Sequence, residues 1–125
     1  MTAKHSSKDE LSTSILALEN ALQRKKDAFE DELIFAGISK SFEVCFEYLW
    51  KHIKMNLDKE GVESYSPREA IKHAGRLNWI ENVEQWMDFL DARNFSVHGY
   101  YGITRENYIT TIELFLRKVK TLRLP

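Results

Sequence analysis

The side chains best suited to chemistry lie together in the stretch Arg93-Asn94-Phe95-Ser96-Val97-His98-Gly99-Tyr100, which Tyr101 follows. Histidine titrates near neutrality and moves protons as a general acid or base. An arginine held in a partly dry groove suits a phosphate or a pentavalent phosphorus transition state. Together, Arg93 and His98 suit RNA cleavage. A base would take the proton of a 2′-hydroxyl while the cation steadies the developing charge, a reaction that needs no metal.

The helix that must carry these groups is legible from spacing. Trp86, Leu90, Arg93 and Val97 recur at steps of four, three and four, one helical face, so Arg93 falls in line with large apolar residues. It stands away from the acidic side made by Glu81, Glu84, Asp88 and Asp91. Burying a guanidinium costs several kcal/mol unless it is paired or serves an anionic ligand. His98 is about 140° further round an ideal helix and roughly 7.5 Å along it, so the two would not converge on a helix running straight through. Gly99 supplies a helix end there, since glycine accepts the left-handed conformation that closes helices. His98 then sits in the last turn or the cap, turned toward Arg93 or toward a partner subunit. A second arginine–histidine pair, Arg68 and His73, has similar spacing but lacks the neighbouring asparagine and the following tyrosine.

The longer pattern is more specific. Arg93-Asn94 followed by His98-Gly99-Tyr100 resembles the R-N-x-x-x-H-x-Y signature of the HEPN superfamily. Upstream, Ser41-Phe42-Glu43 and Phe46-Glu47-Tyr48-Leu49-Trp50-Lys51 resemble the R-F-E-x-x-F-E-x-x-W-K segment of one branch, the nucleotidyltransferase substrate-binding proteins that partner minimal nucleotidyltransferases. Ser66-Pro67-Arg68-Glu69 and Trp86-Met87-Asp88-Phe89-Leu90 follow that branch's order, and the resemblance spans about residues 9 to 122. Two departures stand out: Ser41 replaces the usual arginine, and Gly99 replaces the threonine that commonly follows the histidine.

Two functions follow from the resemblance. The first is a metal-independent ribonuclease toxin restrained by a minimal nucleotidyltransferase antitoxin. Arg93 would stabilise the phosphorane, His98 would act as acid or base, and Asn94 would orient one of them. Tyr100 would be the tyrosine the antitoxin modifies with AMP, with Tyr101 the rival acceptor. A symmetric homodimer facing two signatures across a groove would complete the site. The second is a non-catalytic subunit offering a substrate or nucleotide pocket to the transferase. A third, blander account has Arg93 paired with Asp88 or a neighbouring chain's carboxylate, and His98 merely capping a helix.

The rest of the chain is scaffold. At 125 residues it makes one domain able to bury a core, with residues 1–8 expected to be flexible. Eighteen basic and nineteen acidic side chains nearly balance, so RNA contact must come from a local patch, and no DNA partner is implied. The lone cysteine, Cys45, excludes a disulfide framework and agrees with a reducing cytoplasm. No apolar run is long enough to span a membrane, and Met1 to Lys8 lack a signal peptide's apolar segment. No metal-ligand spacing or phosphate-binding glycine loop points to a metal or cofactor. The glycine-serine loop and spaced aspartates of a minimal nucleotidyltransferase are also missing, so the resemblance implies that this chain would be the partner, not the transferase.

The spacing predicts four substantial helices and one short one, an all-α antiparallel up-down bundle. The first begins after Ser6-Ser7 with Leu11, Ile15, Leu18, Leu22 and Phe29 inward and Arg24-Lys25-Lys26 outward, and it joins the next near Glu30. The second buries Ile38, Phe42, Cys45, Phe46, Leu49, Trp50, Ile53 and Leu57 and closes at Gly61, with His52 off the stripe and solvated. Ser66-Pro67 opens the short helix, with Glu69 placed for a capping box, and it runs to about Gly75 or Leu77. Trp79 and Ile80 fill the gap before the fourth helix. Thr104 caps the last, whose stripe is Tyr108, Ile109, Ile112, Phe115, Leu116, Val119 and Leu122. Arg117, Lys118, Lys120 and Arg123 crowd its final turns, complementing the helix dipole or meeting an RNA backbone.

Overall fold

The computed structural model describes residues 6–98 and 104–125, with Ser96, Val97 and His98 described by their backbone alone. Five α-helices make up the fold, and no strand occurs among the described residues: α1 Ser7–Leu22, α2 Glu32–Lys59, α3 Pro67–Arg76, α4 Val83–His98 and α5 Arg105–Thr121. The starts are local chemistry. Ser6 Oγ accepts the Asp9 amide at 3.1 Å while the Asp9 carboxylate accepts the Ser6 amide at 3.4 Å, a reciprocal cap that makes Ser7 and Lys8 helical. Asp31 Oδ1 accepts from the amides of Leu33 and Ile34 at 2.9 and 3.3 Å. Thr104 Oγ1 accepts the Asn107 amide at 3.0 Å. Ser66 Oγ caps α3 through Glu69 N at 3.2 Å, but the Glu69 carboxylate reaches one residue further back than a capping box would, to Tyr65 N at 2.7 Å. Gly61, at φ 75°, turns the chain out of α2 as glycine should.

Contacts fix the directions. His52 on α2 meets Ser7 at the start of α1, whereas α2 begins beside the end of α1, so these two are antiparallel. Lys120 pairs with Glu19, and Glu113 with Lys25, so α5 also runs against α1. α2 and α5 run parallel across the diagonal and meet through aromatic rings. Phe42 and Phe115 lie edge to face at 5.1 Å, Phe42 and Tyr108 at 6.0 Å, and Phe89 of α4 joins Phe115 at 5.4 Å. Rings of that size span the bundle centre where shorter side chains would leave a void. The Tyr108 hydroxyl, fully buried, is satisfied by Ser39 Oγ at 2.9 Å. α3 lies in the connection between α2 and α4 and packs on both.

Three expectations about the core are corrected. Phe29 is not on the α1 stripe: α1 ends at Leu22, and the chain passes through a 3₁₀ turn, Asp27–Phe29, that buries Ala28 and leaves Phe29 exposed. Arg105 Nη1 donates to the Ala28 carbonyl at 3.0 Å, a contact across 77 residues that no local pattern announces. Trp50 is only half-buried because its indole N–H turns to Glu47. His52 is buried at 6% exposure, not solvated. It lies three residues beyond Leu49 and four before the buried Asn56, on the flank of α2 that α1 covers. Among the described residues, no helix is long and apolar enough to cross a membrane.

Candidate functional site

The motif on α2 has a simple physical basis. Phe42 and Phe46 enter the core, and each following glutamate, one position further round, sits half-buried at the rim. Residues three and four beyond Glu47 share its side of the helix. Trp50 Nε1 accordingly donates to Glu47 Oε2 at 3.0 Å, and Lys51 Nζ lies 3.4 Å from Oε1 as an i,i+4 pair.

From α4, Arg93 Nη2 reaches the same Oε2 at 3.1 Å, and Nη1 donates to Asn94 Oδ1 at 3.3 Å. The two stretches that resemble family motifs, 46 residues apart at this contact, therefore meet on one carboxylate. Arg93 was expected in line with Trp86 and Leu90. The buried face instead centres on Trp86, Phe89, Leu90 and Ala92, and Arg93 stands at its edge with a side chain 27% exposed against 33% for Glu47. It pairs with Glu47, whereas Asp88, which the blander account supplied, is exposed. Glu47 thus faces two cations, Arg93 and Lys51. Water still reaches it, so its pairs are worth less than buried ones. The backbone of His98 closes α4. The His98 imidazole, with Gly99, Tyr100 and Tyr101, lies outside the described residues.

The second arginine–histidine spacing leads nowhere. Arg68 ties α3 to α4 through Asp91 at 3.6 Å and Met87 Sδ at 3.5 Å, and the His73 ring sits 3.3 Å from Arg76.

A polar bridge that sequence reasoning missed lies at His52. Ser7 Oγ is 2.5 Å from Nδ1, and Asn56 Nδ2 is 3.4 Å from Nε2. With Asn56 donating to Nε2, the ring hydrogen falls on Nδ1, and Ser7 accepts it. Burial, then Lys59 and Lys8, hold the imidazole pKa below its ordinary value, so it is neutral. The available signal was its place between Leu49 and Asn56 on the α2 repeat. Cys45 is likewise inert: burial raises its thiol pKa to about 11.

With this geometry in view, comparison with protein families gives one match. The family described as nucleotidyltransferase substrate binding protein like covers residues 7–124, and the chain belongs to it. No curated protein matches the chain.

Proposed function

We propose that this protein is the substrate-binding subunit of a two-component nucleotidyltransferase, and that Arg93 contacts an anionic part of the substrate. The convergence of Arg93, Trp50 and Lys51 on Glu47 carries the reading, and membership of the family supports it. Glu47 and Asn94 hold the guanidinium plane in one orientation, so less side-chain freedom is lost when an anion engages it. Lys51 adds a second, more mobile cation one helical turn away. The test is nucleotide transfer by a minimal nucleotidyltransferase from the same genome, with and without the chain. The wild-type chain should change the yield or identity of the product, and Arg93→Ala should weaken that effect by at least about tenfold. An unchanged product in the presence of the wild-type chain overturns the reading.

A second reading draws on the Arg93–Asn94 contact, which joins the two residues that the HEPN-like signature sets side by side. In it the protein is a metal-independent ribonuclease toxin, acting as a symmetric homodimer on RNA in the cytoplasm. Arg93 stabilises the phosphorane, His98 transfers the proton, and Asn94 orients the arginine. A minimal nucleotidyltransferase antitoxin silences it by attaching AMP to Tyr100. Expression without the antitoxin then slows growth, and His98→Ala relieves it. Undiminished toxicity of that variant, or an adduct confined to Tyr101 in mass spectra of the co-expressed pair, removes this reading.

A further inference from the structure

At the end of the bundle where α1 starts and α5 stops, the surface opens into a groove of about 520 Å³. Its walls are Leu11, Ile15 and Leu16 from α1, and Val119, Leu122 and Leu124 from α5 and the extended residues after it. Leu16 is 60% exposed there. Lys8, Lys120 and Arg123 line the rim, and among the described residues no carboxylate lines the groove. Of these cations only Lys120 has an ion-pair partner among the described residues, Glu19.

The opposite end of the bundle carries exposed apolar side chains beside acidic ones. Leu33, 82% exposed, and Phe29, 45% exposed, flank the run Glu30-Asp31-Glu32. This apolar knob is braced. Arg105 lies over the Phe35 ring at 4.2 Å, donates to the Ala28 carbonyl and pairs with Glu32, while Asp31 caps α2. A knob already held in one conformation loses little freedom when it docks.

We propose that the knob of one chain docks in the groove of a second copy, apolar side chains against apolar walls and carboxylates against the basic rim. Knob and groove stand at opposite ends of α5, which at 17 residues is about 25 Å long, so they cannot meet within one chain. The contact is head-to-tail and can add copies at both ends unless its rotation closes a ring. Residues 1–5 are a poorer occupant, since Lys4 brings a cation to a basic rim and the segment has no carboxylate. The proposal is independent of how the Arg93 region is used. A symmetric dimer through that region would set the smallest species, not the growth of larger ones.

Light scattering on the eluted full-length chain, from micromolar to millimolar, tests it with two variants at exposed positions. The wild-type mass should rise with concentration, and added salt should weaken the association because the rim charges are screened. Leu33→Lys removes the knob and Leu16→Glu spoils the groove. Each alone should lose association by at least about tenfold, with unchanged circular dichroism. Mixed in equal amounts, each variant retains the surface the other has lost, so association should return, as pairs if the smallest species is a monomer and as longer alternating assemblies if it is a symmetric dimer. A wild-type mass constant over the range, or a mixture that does not pair, overturns the proposal and leaves the groove to residues 1–5 or to a different protein.

Discussion

Two polar bridges leave α2 five residues apart, at Glu47 and His52, and they differ in every respect that matters for function. Glu47 faces α4 and gathers Arg93, Trp50 and Lys51 where water still enters. His52 faces α1, is neutral, and joins Ser7 and Asn56, buried except where it borders the groove between α1 and α5. Five helical positions amount to about 140° of rotation, enough to put the two on different neighbours. The charged bridge keeps a cation near the surface and is suited to an anionic ligand. The neutral one pins the first turn of α1. Both join sequence-distant segments, so a bridge between helices is not by itself a sign of function; charge and access to water distinguish them.

The comparison is sharpest where the effects are largest. His52→Ala should destabilise the fold by about 2–3 kcal/mol in a denaturant titration, since it empties a buried site between α1 and α2. Arg93→Ala should cost only about 1 kcal/mol, because its pair is partly hydrated. Equal losses for these two variants would break the contrast.

A smaller effect separates them by pH. The folded pKa of His52 lies below its ordinary 6.5, so between the two values the unfolded chain binds more protons than the folded one. The stability it contributes is therefore complete above about pH 6.5 and is lost as pH falls toward the folded pKa. Denaturant midpoints measured from pH 7.5 down to about 5 should fall, and His52→Gln should flatten the slope, whereas Arg93→Ala should leave it intact. A slope unaltered by His52→Gln would show that the imidazole titrates freely.

Gly75→Ala acts on the scaffold common to both bridges. A Cβ there would stand 2.3 Å from the Val83 side chain, which outweighs the helix-propensity gain of about 1 kcal/mol and leaves a net loss of about 1 kcal/mol. The smallest effect is on the charged bridge itself. Lys51→Ala should change stability by less than about 0.5 kcal/mol, as an exposed i,i+4 partner, while still lowering affinity for an anionic ligand.

Much was legible in the sequence because it is local. Ser6, Ser66-Pro67 and Thr104 act on amides three residues away, Gly61 turns its own backbone, and the apolar repeats of α2 and α5 name their buried faces. The motif residues were legible too, and Arg93 and Asn94 do stand together at the edge of the core. What those residues touch was not legible. Spacing assigns Glu47 and His52 to the flanks of an apolar stripe, and a flank reads the same whether solvent or another helix covers it. Packing α4 on one flank and α1 on the other turned the first into the anchor for Arg93 and dried the second. Phe29, apolar in composition, went to the surface because Arg105 holds its turn from the far side of the sequence. Caps and periodicity depend on neighbours within one or two turns, which the sequence alone determines. The partners of a polar side chain between helices depend on which helices pack together, and only the tertiary structure decided that.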